Sequence, residues 1–321
     1  MAIVRAVDVG YGHVKFVAGR TEDTIRCEKF ASLAPLASTK RLSSTERPRN
    51  TVVVEVDGVH YEIGPDAPLL QRARNVRIAD DTYTQSPAYL AMLRGALCYM
   101  GLPRIDILVA GLPVQTMGHV DEVIHRLKGI HVMPDGRTVH VDKVMVLAQP
   151  VGGYYDWARR NDSSRTTLVV DPGFFTLDFV VMKGTRAQIE RSGSCPGGVH
   201  DVLTTIADGI SHLLGKNYRE LDVIDSALMQ GTDILHVAGT TVDLTPHLRR
   251  AQVRIREGVA AISAIVGAGL DLDHVRVVGG GARLFEAAVR EQFRAPLTIA
   301  PEPEFANLRG FQWAGERMAQ R

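Results

Sequence analysis

Two stretches decide the reading of this chain: Asp8–Val17, DVGYGHVKFV, and Asp171–Val180, DPGFFTLDFV. Each has an Asp, a Gly two residues on, an aromatic directly after the Gly, and a closing Phe-Val. The first copy ends the strand-like run Ile3–Val9 (IVRAVDV) and the second ends Thr166–Asp171 (TTLVVD), so each Asp closes an apolar strand and opens a hairpin. The offset is 163 residues, about half of the 321. A repeat of that length suits two copies of one domain, since solenoid units are only about 20–50 residues long. Chain length agrees, because a single core rarely grows past ~250–300 residues.

The pattern carries chemistry. A carboxylate at the end of a buried strand is costly unless it is paired or faces a cation. The glycine allows a tight turn and close approach of a ligand, and successive N–H groups in such a turn form an anion-binding concavity. Two copies could hold a phosphate chain, with Mg²⁺ bridging phosphate oxygens to the carboxylates. Two unrelated tight turns with Asp in its ordinary turn role are the plainer alternative.

Outward from these stretches, strands and helices alternate. Asn50–Gly64 reads as a hairpin turning at Asp57-Gly58. Ser86–Met100 reads as a helix with Ser86-Pro87 as cap and first turn. Ile105–Ala110 is a buried strand, Val120–Leu127 a helix, and Gly129–Val146 a hairpin around Pro134-Asp135-Gly136. Phe179–Met182 and Ala187–Glu190 form a third hairpin around Lys183-Gly184. Helical spacing covers Val199–Leu214 and Pro246–Ala268, and Val275–Val278 is a last strand before Gly279, Gly280 and Gly281. Ser38–Asn50 reads as an exposed loop. The alternation predicts an α/β fold, and the hairpins predict mixed sheets.

Composition narrows the function. Lys+Arg total 37 against 36 Asp+Glu, a formal charge of +1. A dedicated nucleic-acid binder carries a basic excess, so no direct nucleic-acid contact is expected. Cys27, Cys98 and Cys195 form no CxxC pair, and the 11 histidines no HExxH. The N-terminus has no apolar signal core, and no uncharged run nears the ~18–20 residues a membrane helix needs. A cytoplasmic protein without membrane contact is expected. The longest apolar run, Gly258–Leu270, reads as a buried helix.

Five segments in order resemble the signatures of the actin/Hsp70/hexokinase ATPase superfamily. DVGYGHVK (Asp8–Lys15) and DPGFFTLD (Asp171–Asp178) resemble its two phosphate loops. LAQPVGGY (Leu147–Tyr154) and FANLRGF (Phe305–Phe311) resemble its connecting helices, and VVGGGARL (Val277–Leu284) its adenosine segment. Within the superfamily the chain is most similar to the bacterial ParM/StbA plasmid-segregation group of actin-like proteins, sharing also ILVAGLPV (Ile107–Val114). The resemblance implies two duplicated RNase H-like domains with mixed sheets flanked by helices and a nucleotide in the interdomain cleft. It places domain I at about 1–150 plus 303–321, with an insertion near 33–76, and domain II at about 151–302, with an insertion near 191–250.

It further implies ATP, with GTP as an alternative, and Mg²⁺ held at Asp8 and Asp171. Backbone phosphate contacts fall to Gly10, Tyr11, Gly12 and His13, then Gly173, Phe174 and Thr176, while Lys15 reaches a phosphate as a point charge. Gln149 and Asp171 would orient the attacking water, and Gly279, Gly280 and Gly281 would lie along the adenosine. Partners would be further copies of the chain in a filament and a DNA-binding adaptor protein. Departures exist: Phe174 and Phe175 stand where relatives often have Gly, and Pro172 lacks an N–H. A small-molecule kinase of the same superfamily and a weakly hydrolysing ATP-binding scaffold are the competing readings. A kinase would need an Asp acting on an acceptor hydroxyl and a polar sugar pocket, and no segment supplies either. Other motifs fail: Cys195-Pro196-Gly197-Gly198 lacks the G-x-S-x-G spacing, and Lys15 stands where a dinucleotide fingerprint needs its third Gly. Gly197, Gly198 and Asp201 match a Gly-Gly-x-x-Asp segment of the superfamily. Arg249, Arg250, Arg254 and Arg256 read as a solvated helix face.

Overall fold

A computed structural model describes residues 2–38, 47–70, 82–133 and 135–320. Much of the loop expected over Ser38–Asn50, the end of the insertion expected near 33–76, and Pro134 of the expected turn lie outside the described residues. The chain divides into two compact units, residues 1–164 with 300–321 and residues 165–299.

In the first unit, strands β1 (Val4–Val9), β2 (His13–Arg20), β3 (Ile25–Ala31), β6 (Arg104–Leu112), β7 (Gly129–Val132) and β8 (Thr138–Ala148) form one sheet in the order β3-β2-β1-β6-β8-β7. β1 runs antiparallel to β2 and parallel to β6, and β6 runs parallel to β8. A separate hairpin, β4 (Val52–Val56) and β5 (Val59–Ile63), turns at Asp57-Gly58 with φ of 52° and 76°. Period-two alternation divides the sheet's faces. Val7, Val9, Val14 and Phe16 pack under helix α1 (Pro87–Met100) with Met92, Leu93 and Leu97. Val4, Ala6, Val17, Ile107 and Val109 pack with Leu308 and Phe311 of α8 (Ala306–Ala319). Helix α2 (Val120–Leu127) follows β6, and α3 (Gln149–Ala158) lies against α8.

The second unit repeats the plan. Strands β9 (Thr166–Pro172), β10 (Thr176–Lys183), β11 (Arg186–Ala187), β12 (Gly193–Pro196), β15 (His274–Val277) and β16 (Leu297–Ile299) form a sheet ordered β11-β10-β9-β15-β16, with β12 also on β10. β9 runs antiparallel to β10 and parallel to β15, as β1 does to β2 and β6. Leu168, Val170, Leu177, Phe179 and Val181 pack against α4 (Val199–Leu214), α6 (Thr245–Val266) and α7 (Ala282–Gln292). The α/β class, the mixed sheets and the duplication are as the sequence predicts.

Several elements differ. The third hairpin has only the two residues of β11 as its second arm; Ile189–Arg191 is a 3-10 turn with Ile189 exposed, and β12 returns to pair with β10. The apolar run Gly258–Leu270 is helical only to Val266, where Gly267 (φ 83°) ends α6, and Leu270 is 85% exposed. β3, β16, the helix α5 (Leu221–Met229) and the hairpin β13 (Ile234–Val237)–β14 (Thr240–Asp243) are additional to the elements expected from the sequence. No helix among the described residues is long and apolar enough to cross a membrane.

Candidate functional site

Alternation along β1 places Asp8 with Val4 and Ala6 on the face that α8 covers, and Asp8 is wholly buried. A carboxylate there needs compensation. Lys15 sits directly across the antiparallel pair, with Nζ 3.1 Å from Oδ2. Gln149, the first residue of α3, donates from Nε2 to Oδ1 at 2.7 Å. The structure therefore brings Asp8, Lys15 and Gln149 together. The Asp8 charge is also felt by Tyr89, whose phenol is pushed well above its usual range, first by burial and then by that carboxylate.

The turn after Asp8 is closed by the Gly10 N–H donating to the His13 carbonyl at 3.2 Å. The Gly10 carbonyl in turn accepts from Ser32 Oγ (2.5 Å) and Tyr83 OH (3.2 Å). The Gly12 carbonyl accepts from the Ser32 N–H at 3.0 Å. A trans peptide is planar, with its C=O and N–H on opposite sides. Pinning these two carbonyls therefore directs the N–H groups of Tyr11 and His13 the other way. The Tyr11 ring is buried against Tyr83, centroids 4.6 Å apart, so what Tyr11 offers a ligand is its backbone.

The turn after Asp171 is built alike. Gly173 N–H donates to the Thr176 carbonyl at 2.8 Å, the same bond displaced by 163 residues. Asp171 faces Asp178 across β9–β10, at the register position where Asp8 faces Lys15. Neither Gly10 nor Gly173 has a positive φ. Each is confined instead by space, since a Cβ would lie 3.2 Å from the His13 carbonyl oxygen at Gly10 and 3.0 Å from that of Thr176 at Gly173. Both of their N–H groups are used inside the turn.

Behind this second turn stands the N-terminus of α4, whose first amides have no partner within the helix. Val199, His200 and Gly198 N–H donate to the carbonyls of Gly173 (3.0 Å), Phe174 (2.7 Å) and Phe175 (3.1 Å). By the same planarity the N–H groups of Phe174, Phe175 and Thr176 turn away from α4. Gly198 thus has a structural task in holding the turn. Phe174 packs on the unit's core, and both phenylalanine rings contact His200, at 5.5 and 4.9 Å.

Asp171 and Asp178 are buried, and Thr176 Oγ1 donates to Asp178 Oδ2 at 2.7 Å. Gly279 (φ 80°) touches this carboxylate so closely that a Cβ would lie 1.9 Å from Asp171 Oδ1. The Gly281 N–H donates to the Pro172 carbonyl at 3.1 Å, whereas a side chain at Gly280 would meet open space. The Cys195 thiol is pushed up by burial and by the Asp178 charge, so it stays protonated and structural.

No group of three or more His, Cys, Asp or Glu side chains that could hold a metal is found among the described residues. Mg²⁺ keeps several waters and needs only one or two carboxylates plus phosphate oxygens, so a single strand-end carboxylate beside a turn, as Asp8 is in the first unit and Asp171 in the second, is of a kind that suits it. Ser32 and Tyr83 escaped the sequence reading, because they act on a backbone carbonyl 22 and 73 residues away and leave no motif.

A duplicated mixed-sheet α/β fold with a carboxylate-bearing hairpin in each half is the actin-like fold. A family model described as actin-like proteins, N-terminal domain, matches residues 6–152, and one described as archaeal actin homologue MreB-like, C-terminal, matches residues 169–291. The chain belongs to the actin-like protein family. Among solved structures it is similar to Ta0583, an archaeal actin homolog, with a TM-score of 0.78 and 20% identity over 98% of this chain and 99% of that one. It is similar also to ParM in a 15-stranded filament from Clostridium botulinum, at TM-score 0.74 and 18% identity over 98% and 99% of the two chains. The AlfA filament bound to AMPPNP matches at TM-score 0.67 and 13% identity over 100% and 98%. No curated protein sequence matches the chain.

Proposed function

We propose that the chain is a nucleotide-driven polymer-forming ATPase. It binds ATP with Mg²⁺ through the two carboxylate hairpins, assembles with further copies into filaments, and hydrolyses the nucleotide. One observation carries this reading: both hairpins turn equivalent carbonyls away and equivalent N–H groups toward the opposite side, although their residues differ. Such aligned amides suit phosphate oxygens. Phosphoryl transfer needs mainly positioning and charge neutralisation. Lys15 would neutralise phosphate charge, while Gln149 and Asp171 orient the attacking water. Asp8 and Asp171 would hold Mg²⁺ through its waters, and the ion would supply charge neutralisation at the phosphate oxygens.

The relatives solved as filaments support self-assembly. For cargo we infer plasmid DNA moved through a DNA-binding adaptor protein in the cytoplasm. The ParM likeness and the net charge of +1, which gives the chain no basic excess of its own, support that choice.

The test is sedimentation and light scattering with ATP-Mg²⁺ or GTP-Mg²⁺, beside phosphate release, on the wild type and Asp171→Ala. Nucleotide-dependent pelleting and release in the wild type, with release abolished in the variant, is the expected result. A wild type that stays soluble at micromolar concentration under varied salt and crowding would sink the filament reading. Turnover that requires an added sugar would transfer the chain to the kinases. Plasmid retention in dividing cells, with wild-type or Asp171→Ala protein encoded beside its native flanking DNA, tests the cargo: equal retention removes it.

A further inference from the structure

We propose that Ser32 and Tyr83 are positioning residues for phosphate binding, acting through the Gly10 peptide; the inference rests on the nucleotide reading above and deepens it. A carbonyl oxygen has two lone pairs. At Gly10 one accepts the Ser32 hydroxyl and the other the Tyr83 hydroxyl, at 2.5 and 3.2 Å. The doubly bonded oxygen cannot swing round without breaking both bonds. That matters because a flipped Gly10–Tyr11 peptide would present a partial negative charge where its N–H now faces, and would repel an anion instead of binding it. Ser32 pins a second peptide with its own N–H, at Gly12.

The second hairpin supplies independent support. There the carbonyl equivalent to Gly10 is that of Gly173, and it is held by the Val199 amide; the one equivalent to Gly12 is that of Phe175, held by the Gly198 amide. The two halves reach the same peptide orientation with different donors, helix-end amides in one and two hydroxyl side chains with one amide in the other. Tyr83 is itself fixed for the task. Its ring contacts Tyr11 at 4.6 Å and Tyr89 edge-on at 5.5 Å. Its 3-10 turn, Tyr83–Gln85, is tied down where Arg126 donates to the carbonyls of Thr84 (2.6 Å) and Ser86 (3.4 Å).

The experiment is calorimetric titration of ATP and ADP into the full chain, with adenosine followed by ligand-observed NMR. The variants are Tyr83→Phe, which removes one oxygen and keeps the ring stack, and Ser32→Ala, which keeps the backbone N–H. Tyr99→Phe is the control, because its hydroxyl bonds the Asn50 carbonyl in the same unit, at 3.2 Å, away from the turn. Each single loss should weaken ATP and ADP by about 3- to 10-fold, the range a single hydrogen bond spans. Adenosine should change less than about 2-fold and Tyr99→Phe should change nothing. ATP affinities equal to wild type in both variants would overturn the positioning role. Equal losses for ATP and adenosine would overturn it too, by showing a merely structural effect. A wild type that binds no nucleotide at all would refute the nucleotide reading itself, and with it this inference.

Discussion

Gly310→Ala tests whether the contact between α3 and α8 sets the geometry at Asp8. A Cβ at Gly310 would lie 1.8 Å from the Gly152 carbonyl oxygen and 2.6 Å from its carbon. Real Cβ atoms do not approach closer than 3.0 Å, so the helices must part by at least 1.2 Å, and the obstacle is backbone that no rotamer change can move. Phe311 is wedged here, since Cβ atoms at Gly111 and Gly152 would each lie 2.5 Å from its ring, and Leu308 is fully buried beside it. A gap of about 1 Å forfeits up to about half of a contact's attraction. With burial of a Leu or Phe contributing about 1.5–3 kcal/mol, those two residues together lose up to about 1.5–3 kcal/mol. The better helix propensity of Ala returns about 1 kcal/mol.

The net loss is therefore about 0.5–2 kcal/mol, or a fall of about 1–8 °C in the melting transition of the first unit. Gln149 lies one turn before Gly152 on α3, and its 2.7 Å bond to Asp8 would stretch past the 3.5 Å limit if the displacement reached it. Nucleotide turnover should fall with the melting temperature. The assays are thermal unfolding and phosphate release, with Gly118→Ala as control because a side chain there meets nothing within 4 Å. A Gly310→Ala protein that melts at or above wild type would show that propensity outweighs the crossing, and the reasoning would fail.

Other perturbations follow from the same contacts. Lys15→Met removes the ion-pair partner of a fully buried carboxylate and should cost about 3–5 kcal/mol; chemical denaturation should recover most of it in Lys15→Met/Asp8→Asn, and a double variant no better than the single would count against the pair. Gly279→Ala combines a left-handed residue, about 1–2 kcal/mol, with overlap on Asp171, so phosphate release should drop more than about tenfold while the fold survives by circular dichroism. Gln149→Leu strips Asp8 of its second partner, and turnover should fall more than nucleotide affinity, read as a change in kcat with little change in KM. Glu62 is raised by burial, but hydrogen bonds from Arg49, Thr51 and the Ser38 amide outweigh this and hold its carboxyl below the usual range. A depressed folded value adds stability that is present above the unfolded pKa of about 4.3 and is lost as pH falls through the folded one. Acid titration of stability should therefore be flatter below about pH 5 in Glu62→Gln, and parallel curves would refute this.

What was legible in the sequence was whatever repeats or alternates. The Asp8 and Asp171 hairpins announced themselves by their common offset, and buried strands such as Thr166–Pro172, with no exposed position, read as apolar runs. β3 did not, because as an edge strand it buries only Phe30 of seven residues. Leu270 misled because an apolar residue says nothing about where a glycine will end the helix before it, and Gly267 does so three residues earlier. At the site, side chains that meet across one strand pair, such as Asp8 and Lys15, lay in a single motif. Ser32 and Tyr83 did not, since a hydroxyl that holds a carbonyl can come from anywhere in the chain. Gln149 was found only through resemblance, because a lone amide at a helix start has several uses.

The two hairpins also show what duplication preserved. Residue identity has drifted: Lys15 corresponds to Asp178, Tyr11 to Phe174, Gly12 to Phe175 and His13 to Thr176. The closing bond, the glycine that makes room for it and the orientation of the peptides have not. This explains why phenylalanines are tolerated at positions 174 and 175. Neither Phe174 nor Phe175 adopts a positive φ, so nothing in the turn needs glycine's freedom there. Their carbonyls are engaged by α4, and their rings pack among themselves, the core and His200. Bulk at these positions therefore stiffens the turn from behind while the N–H groups keep their direction. A side chain is barred at Gly279, where the Asp171 carboxylate lies against the backbone, and at Gly10 and Gly173 it would crowd the carbonyl that closes each turn, so glycine is placed by close approach and not by a motif count.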